Sequence, residues 1–596
     1  MTRTPRGLRA AVLGVVLALI VTACSSSSGP GPSPSSTGPG PVGLNLDVVS
    51  YPSDAVGGTL QLVFHSNWQS LDPARTYVFS DWDFMRFIFR PLLNFDAQPG
   101  AVRLVGDLAT EPAVPTDGGK TWKYTLRSGV KYQDGTTVTS KDVKYAIERP
   151  FAQDVINGGP AANYVLCKLS KCDADGNPAY PGPYKDKSPD HLGLSSVETP
   201  DDQTIIFHLN APFADWNYVM ALPISTPVPQ SVDQGPNGGA NYEDHVVATG
   251  PYQISDYQAD KVTKLARNPN WDKNTDPMRK ALPDEVVVTQ GISPSDEDNR
   301  IMSNQADAAI GGGGVQVNNL GTVLTPQYQS RRADGATGAL LFLSLQQTVS
   351  PLDNEHCRRA VQYAVSKSSM QRARGGPYAG GDIAISTYPP TLEGYQPPPD
   401  RYPNGPDNTG NLDAARSELQ QCGKADGFPV NMAYPNVKKD QDVFQSVQQA
   451  LDRVNIKVSP IQLDQSSFFD VTGVPSDVKN RGMGIISLVW GPDFPAPYGY
   501  FHGLVDGKVI SAEGNTNVAE INEPQINNLI LQSLTTTDRQ QYLADYRQVD
   551  QLTMQQAGIV PYVHQRALSV FSARLRNISF LQALGNYDFQ AMGVNQ

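Results

Sequence analysis

Histidine and cysteine are scarce in this chain. Its 596 residues hold seven histidines, scattered without metal-ligand spacing, and five cysteines with no zinc pattern. The sequence has no G-x-S-x-G nucleophile elbow and no H-E-x-x-H motif. A lone S-x-x-K match, Ser128-Gly129-Val130-Lys131, falls in a strand–turn block and lacks its companion motifs. No catalytic residue, metal or cofactor is therefore assigned, and the chain does not read as an enzyme. Positive charge is also in deficit: 47 Lys and Arg face 59 Asp and Glu, a net charge of −12. An acidic chain without a basic stripe argues against a nucleic-acid partner. Beyond the N-terminus there is no long apolar run, so nothing there reads as a bilayer span.

The N-terminus itself is distinctive. Arg3, Arg6 and Arg9 precede an apolar run from Ala10 to Val21, the length of a signal-peptide core and too short to cross a bilayer. Val21-Thr22-Ala23-Cys24 then resembles a bacterial lipobox. Residues 1–23 are expected to be a lipoprotein signal peptide, with Cys24 diacylated and first in the mature chain. The alternative is an ordinary cleaved signal with an incidental cysteine. Residues 24–42, rich in Ser, Pro and Gly, lack the apolar side chains of a core and read as a disordered tether. The G-x-G-x-x-G match at 38–43 follows no strand and opens no helix, so it is not a dinucleotide site.

With Cys24 acylated, four cysteines remain, and every thiol can pair. Three connectivities are open. Cys167–Cys172 with Cys357–Cys422 is preferred, because a short loop closes easily; free buried thiols are the alternative. The elements alternate between strand and helix. Thr59 to Phe64 reads as a first strand. In Thr121 to Arg127, Trp122, Tyr124 and Leu126 share one face and Arg127 reads as solvated on the other. Asp134-Gly135 makes a tight turn, and Thr139 with Asp142 forms a capping box before Val143, Ala146 and Ile147. Thr204 to Leu209 is another alternating strand. Further on, Cys357, Ala360, Val361, Ala364 and Val365 form a helical core stripe, and Leu412, Ala415, Leu419 and Cys422 form a second, with Gly423 as its stop. Thr537 to Gln540 reads as a capping box before Tyr542, Tyr546 and Val549.

Several landmarks occur in order: Gly57-Gly58-Thr59-Leu60, Ser70-Leu71-Asp72-Pro73, Asp107-Leu108-Ala109, Leu126-Arg127-Ser128-Gly129-Val130-Lys131-Tyr132-Gln133-Asp134-Gly135-Thr136, Thr249-Gly250-Pro251-Tyr252, Arg267-Asn268-Pro269 and Trp490-Gly491-Pro492-Asp493-Phe494-Pro495. This set resembles the family 5 extracellular solute-binding proteins, the dipeptide- and oligopeptide-binding lipoproteins of ABC importers. The resemblance runs from about Gly57 to the end. It implies an α/β, two-lobed periplasmic-binding-protein type II fold with an extra sub-domain and a hinge. Residues 43–285 would form lobe 1 with its insertion, 286–560 lobe 2, and 561–596 a return to lobe 1. Ligand would bridge the lobes when they close.

One residue draws attention within Leu488 to Phe501: Asp493 is the single charge in an aromatic, aliphatic, Gly- and Pro-rich stretch. A carboxylate among apolar groups needs a partner, because desolvation is costly. The resemblance implies that Asp493 takes the α-ammonium of a bound peptide and that Trp490 lines a side-chain pocket. The alternative is a local Arg or Lys partner, or a turn cap. The family's second acid is missing, since Ala496 follows Pro495. Phe494, His65, Ser66, Asn67, Gly313 and Gly314 are further candidates; Trp68 reads as core. No basic residue is assigned to a peptide carboxylate.

The expected function is capture of peptides outside the cytoplasm and delivery to an ABC permease with its ATPase subunits. The protein would be a monomer held on the outer face of the cytoplasmic membrane by its lipid. Two alternatives share the fold: a binder of a non-peptide solute such as a nickel chelate, haem, sugar or siderophore-like molecule, and a peptide-sensing receptor lipoprotein.

Overall fold

The computed structural model describes residues 43–173, 176–233, 239, 241–536 and 538–595. The signal peptide, Cys24 and the tether lie outside the described residues, as does Thr537. Two sheets organise the chain. The first has five strands in the order Ala308–Ala309, Thr59–Phe64, Glu285–Gln290, Val262–Arg267 and Tyr252–Gln258. Thr59–Phe64 pairs in parallel with Glu285–Gln290 over six residues. Its Leu60 and Leu62 sit in one core with Val286 and Val288, as period-2 alternation requires. The second sheet has six strands in the order Gly381–Ile383, Ile559–Val570, Arg332–Leu345, Met483–Trp490, Pro429–Pro435 and Lys457–Leu463.

A three-stranded sheet, Thr121–Thr125, Thr204–His208 and Val197–Asp201, builds the sub-domain between Phe64 and Tyr252. Trp122, Tyr124, Ile205 and Phe207 are buried on its inner face. The helix Ser140–Glu148 packs on this sheet and starts at the Thr139–Asp142 capping box, a device that contributes about 1 kcal/mol. Arg127 is not the solvated strand residue expected: it is half-buried, and its guanidinium donates to the carbonyls of Asp107, Gly106 and Thr110. Asp72 of the Ser-Leu-Asp-Pro landmark accepts a bidentate bond from Arg149 at 2.8 and 2.7 Å, so that landmark is scaffold. Trp68 is core, stacked between Phe64 and Phe84.

The expected lobe boundary after residue 285 needs correction. It would cut through Glu285–Gln290, which is central to the first sheet. The chain leaves that lobe later, along Arg332–Leu345. Ala333 packs in the first core, whereas Leu341 and Leu343 pack in the second with Val560 and Tyr562. The strand Ile559–Val570 runs beside it antiparallel and makes the return crossing. Their register shifts between Ala336 and Leu340, and Gly338 in that step has φ +78°, a left-handed conformation that favours glycine. The two crossings therefore form one paired ribbon.

The second lobe contains both helical stripes. In Glu355–Ala364, Cys357, Ala360, Val361 and Ala364 are fully buried; in Leu412–Gln421, Ala415 and Leu419 are. The two helices lie side by side, and Cys357 is joined to Cys422 with Cα atoms 5.2 Å apart. Cys167 is joined to Cys172 at 5.4 Å. The helix Arg539–Gln556 is capped by Asp538, whose carboxylate accepts from the amides of Gln540 and Gln541. Among the described residues no helix is long and apolar enough to cross a membrane.

Candidate functional site

Sub-domain and second lobe share one apolar cluster. It joins Trp122, Ile205 and Phe213 to Phe494, Tyr498 and Phe501, so the lobes meet face to face here. The strand Met483–Trp490 ends at this seam. Pro492, Pro495 and Pro497 stop further pairing, and the helix Tyr498–Val505 begins at once. Asp493 lies in the connecting turn, with its amide donating to the Gly499 carbonyl at 2.9 Å.

The Asp493 side chain is 9% exposed. Tyr77 and Tyr164 donate their hydroxyls to its Oδ2, each at 2.5 Å. Both tyrosines come from the first half of the chain, so the carboxylate ties the lobes together. Asn163 donates to the Tyr77 oxygen at 3.1 Å and steadies that ring. Among the described residues no Lys, Arg or His pairs with Asp493, and Oδ1 has no protein donor. Burial pushes the Asp493 carboxyl up to about 6, with the two phenols pulling back. The local basic partner considered as the alternative is therefore not present.

Asp493 lines a small cavity of about 40 Å³. Its walls are mostly apolar, with Trp82, Met85, Phe89, Phe95, Leu222 and Leu584 prominent. Trp490 is not part of this wall. Its indole N–H is spent on the Tyr500 carbonyl at 2.9 Å, and its ring packs against Gly503, where a Cβ would come within 2.4 Å of it. Phe494 is 1% exposed; it stacks on Tyr218 with centroids 5.3 Å apart and tilts against Tyr164. It supports the site from behind.

The remaining candidates lie elsewhere. His65, Ser66 and Asn67 line a second, larger cavity of about 330 Å³, with Gly311. His65 Nδ1 is 3.3 Å from Glu297, and Asn67 accepts from Gln290 at 3.0 Å. A Cβ on Gly311 would press on the His65 and Phe64 rings at 3.1 Å, so glycine keeps that wall open. Gly313 and Gly314 are not in it: Gly313 offers its carbonyl to Lys439, and Gly314 abuts Leu568. The structure thus does not gather all candidates around Asp493. Tyr77 and Tyr164, which do meet it, carry no local signal in the sequence.

Two lobes on a paired ribbon, closed over a lone buried carboxylate, define a two-lobed binding protein. Residues 103–511 match the bacterial extracellular solute-binding proteins, family 5 middle, and the chain belongs to that family. It is similar to a solved structure described as clavulanic acid biosynthesis oligopeptide binding protein 2, at 39% identity and TM-score 0.85, covering 92% of this chain and 98% of that one. It is 23% identical to a probable D,D-dipeptide-binding periplasmic protein of Escherichia coli (strain K12), over 84% of this chain and 86% of the relative. A glutathione-binding protein of Salmonella typhi is also 23% identical, over 90% of this chain and 94% of its own length. The fold is the α/β type II periplasmic-binding-protein fold.

Proposed function

We propose that this chain is an extracytoplasmic, lipid-anchored solute-binding protein that captures peptides by their free α-ammonium and delivers them to an ABC permease. The observation that carries this reading is Asp493, desolvated at the lobe seam, held by two hydroxyls and matched by no cation. A buried carboxylate in that setting is completed by a ligand ammonium through a charge-assisted hydrogen bond. Its place between lobes couples capture to closure, because only the closed form presents Asp493 and the first-lobe wall together. The names of the relatives, which include binders of oligopeptides, dipeptides and glutathione, support a peptide ligand. The lipobox-like Cys24 supports the anchor.

The test is thermal stability of the protein beginning at Ser25 against peptides with free and acetylated N-termini. A ligand at 100 times its Kd adds about 2.7 kcal/mol. Stabilisation by the free peptides alone is the expected result. Equal stabilisation by both keeps the peptide but removes Asp493 as its anchor. No response moves the reading to a non-peptide solute. Separately, Cys24→Ala is expected to release the full chain from membranes, and retention would remove the lipid anchor.

A further inference from the structure

A second carboxylate bridges the lobes, outside the two cavities already described. Asp215 lies in the sub-domain, immediately before the helix Trp216–Val219, and is 2% exposed. An Asp in that position commonly caps its own helix. This one does not: its side chain makes no bond to the helix it precedes. It turns to the second lobe instead. There the Tyr542 hydroxyl donates to Oδ2 at 2.5 Å, and Arg539 Nη1 stands 3.6 Å from Oδ1. None of Asp215, Arg539 and Tyr542 lines the cavity beside Asp493 or the one beside His65.

The second-lobe side of this contact is built in advance. Arg539 pairs with Glu393 of its own lobe, donating from Nε at 3.1 Å and again from Nη2. Its guanidinium lies 4.2 Å from the centre of the Tyr542 ring. The Tyr542 oxygen also accepts from the Tyr498 amide at 3.2 Å. These contacts lie within one lobe and need no closure. Asp215 is the part that arrives from the other lobe. Beside it the Ala214 amide donates to the Leu534 carbonyl at 3.2 Å, and Phe213 packs edge-on against Tyr498 with centroids 5.1 Å apart. A carboxylate dried in this way must keep its donors, because an unpaired buried charge is costly.

We infer that Asp215 is a ligand-independent latch: it seats on Tyr542 and Arg539 only when the lobes are closed, and so sets how much of the empty protein is closed. On opening, water solvates the carboxylate and the Tyr542 hydroxyl. Loss of that hydroxyl therefore penalises the closed form alone. The latch works whatever the solute, since it touches neither cavity. A change in the closed fraction of the empty protein scales the apparent affinity for every ligand by the same factor. Asp215 is thus a positioning residue for closure and acts separately from Asp493.

The experiment is hydrogen exchange at the Ala214 amide, whose bond to Leu534 crosses the seam, with solution scattering of the same ligand-free protein. In Tyr542→Phe the buried carboxylate loses its donor in the closed form. Exchange at Ala214 is expected to rise about tenfold, and the radius of gyration to increase. Asp215→Lys sets a second cation against Arg539 and should open the empty protein at least as far. Asp215→Leu combined with Tyr542→Phe leaves no group orphaned, and Arg539 keeps Glu393, so exchange should return to within about twofold of wild type. Should one single variant fail to fold, the other still decides. Wild-type exchange and radius in the single variants overturn the latch. Opening that the double variant does not repair also overturns it, because that is the mark of lost packing.

Discussion

The Tyr164 hydroxyl meets Oδ2 of Asp493 at 2.5 Å, across 329 positions of sequence and across the seam between the lobes. Tyr77 reaches the same oxygen from 416 positions away. One carboxylate therefore bridges two distant segments of the first half of the chain to the second.

Asp493→Asn is expected to weaken binding of free-amine peptides by about 2–5 kcal/mol, the usual cost of losing one partner of a buried charge pair. The empty protein should keep its melting temperature, because the amide removes a desolvated charge and can still accept from Tyr77 and Tyr164. Calorimetry and a thermal melt of the same sample check both halves. Unchanged affinity would place the ammonium elsewhere.

Affinity should also depend on pH with a defined sign. Asp493 titrates at about 6 in the fold against an ordinary 3.8, because burial disfavours its charge. Its contribution to the stability of the empty fold is thus complete below 3.8 and is lost as pH rises through about 6. Binding of an ammonium runs the other way, since it needs the carboxylate. Peptide affinity should fall below pH 6 by up to about tenfold per unit. Asp81, at about 6, and Asp83, at about 7, titrate nearby, so the measured quantity is the difference between wild type and Asp493→Asn. A difference flat from pH 5 to 7 would contradict the assignment.

Tyr164→Phe removes a donor that favours the ionised carboxyl. The midpoint of that pH profile should move up by roughly one unit, as expected for a hydrogen bond to a charged group. A purely packing role for Tyr164 would leave the midpoint where it was.

Loop length separates the two disulfides. Cys357–Cys422 spans 65 residues and Cys167–Cys172 spans five. In the chain-entropy view they restrict the unfolded state by about 4 and about 2 kcal/mol. Cys357→Ala with Cys422→Ala should therefore lower the melting temperature more than the double change at 167 and 172. Thiol titration of the denatured protein beginning at Ser25 should find no free cysteine.

At the ribbon, Gly338→Val puts a β-branched residue in a left-handed conformation and its Cβ 3.1 Å from Thr391. A loss of about 1–3 kcal/mol is expected, with a larger radius of gyration for the empty protein in solution scattering. An unchanged radius would mean that this step in the ribbon does not set closure.

Much of the scaffold was legible in local sequence. The alternation of Thr59–Phe64 and Thr121–Thr125, the Thr139–Asp142 box and the stripe through Cys357 and Val361 all depend on neighbours within one turn or strand. Asp493 was legible too, because a lone charge stands out in an apolar stretch. Tyr77 and Tyr164 were not. Each sits in a different segment, is of a type common in ordinary cores, and gains its meaning only when the lobes meet. The crossing ribbon was hidden for a related reason: Arg332–Leu345 is held as strand by pairing with Ile559–Val570, which lies more than 200 positions further along the chain.

The desolvated carboxyl of Asp493 has a calorimetric consequence. Near pH 6 a sizeable fraction of empty molecules hold a proton there, and an arriving ammonium must expel it. If Asp493 takes the ammonium as proposed, capture exchanges one cation for another, with the proton passed to the medium. The apparent heat of binding will vary with the ionisation enthalpy of the buffer, and the slope of that variation counts the protons released per peptide. In Asp493→Asn the slope contributed by this group disappears.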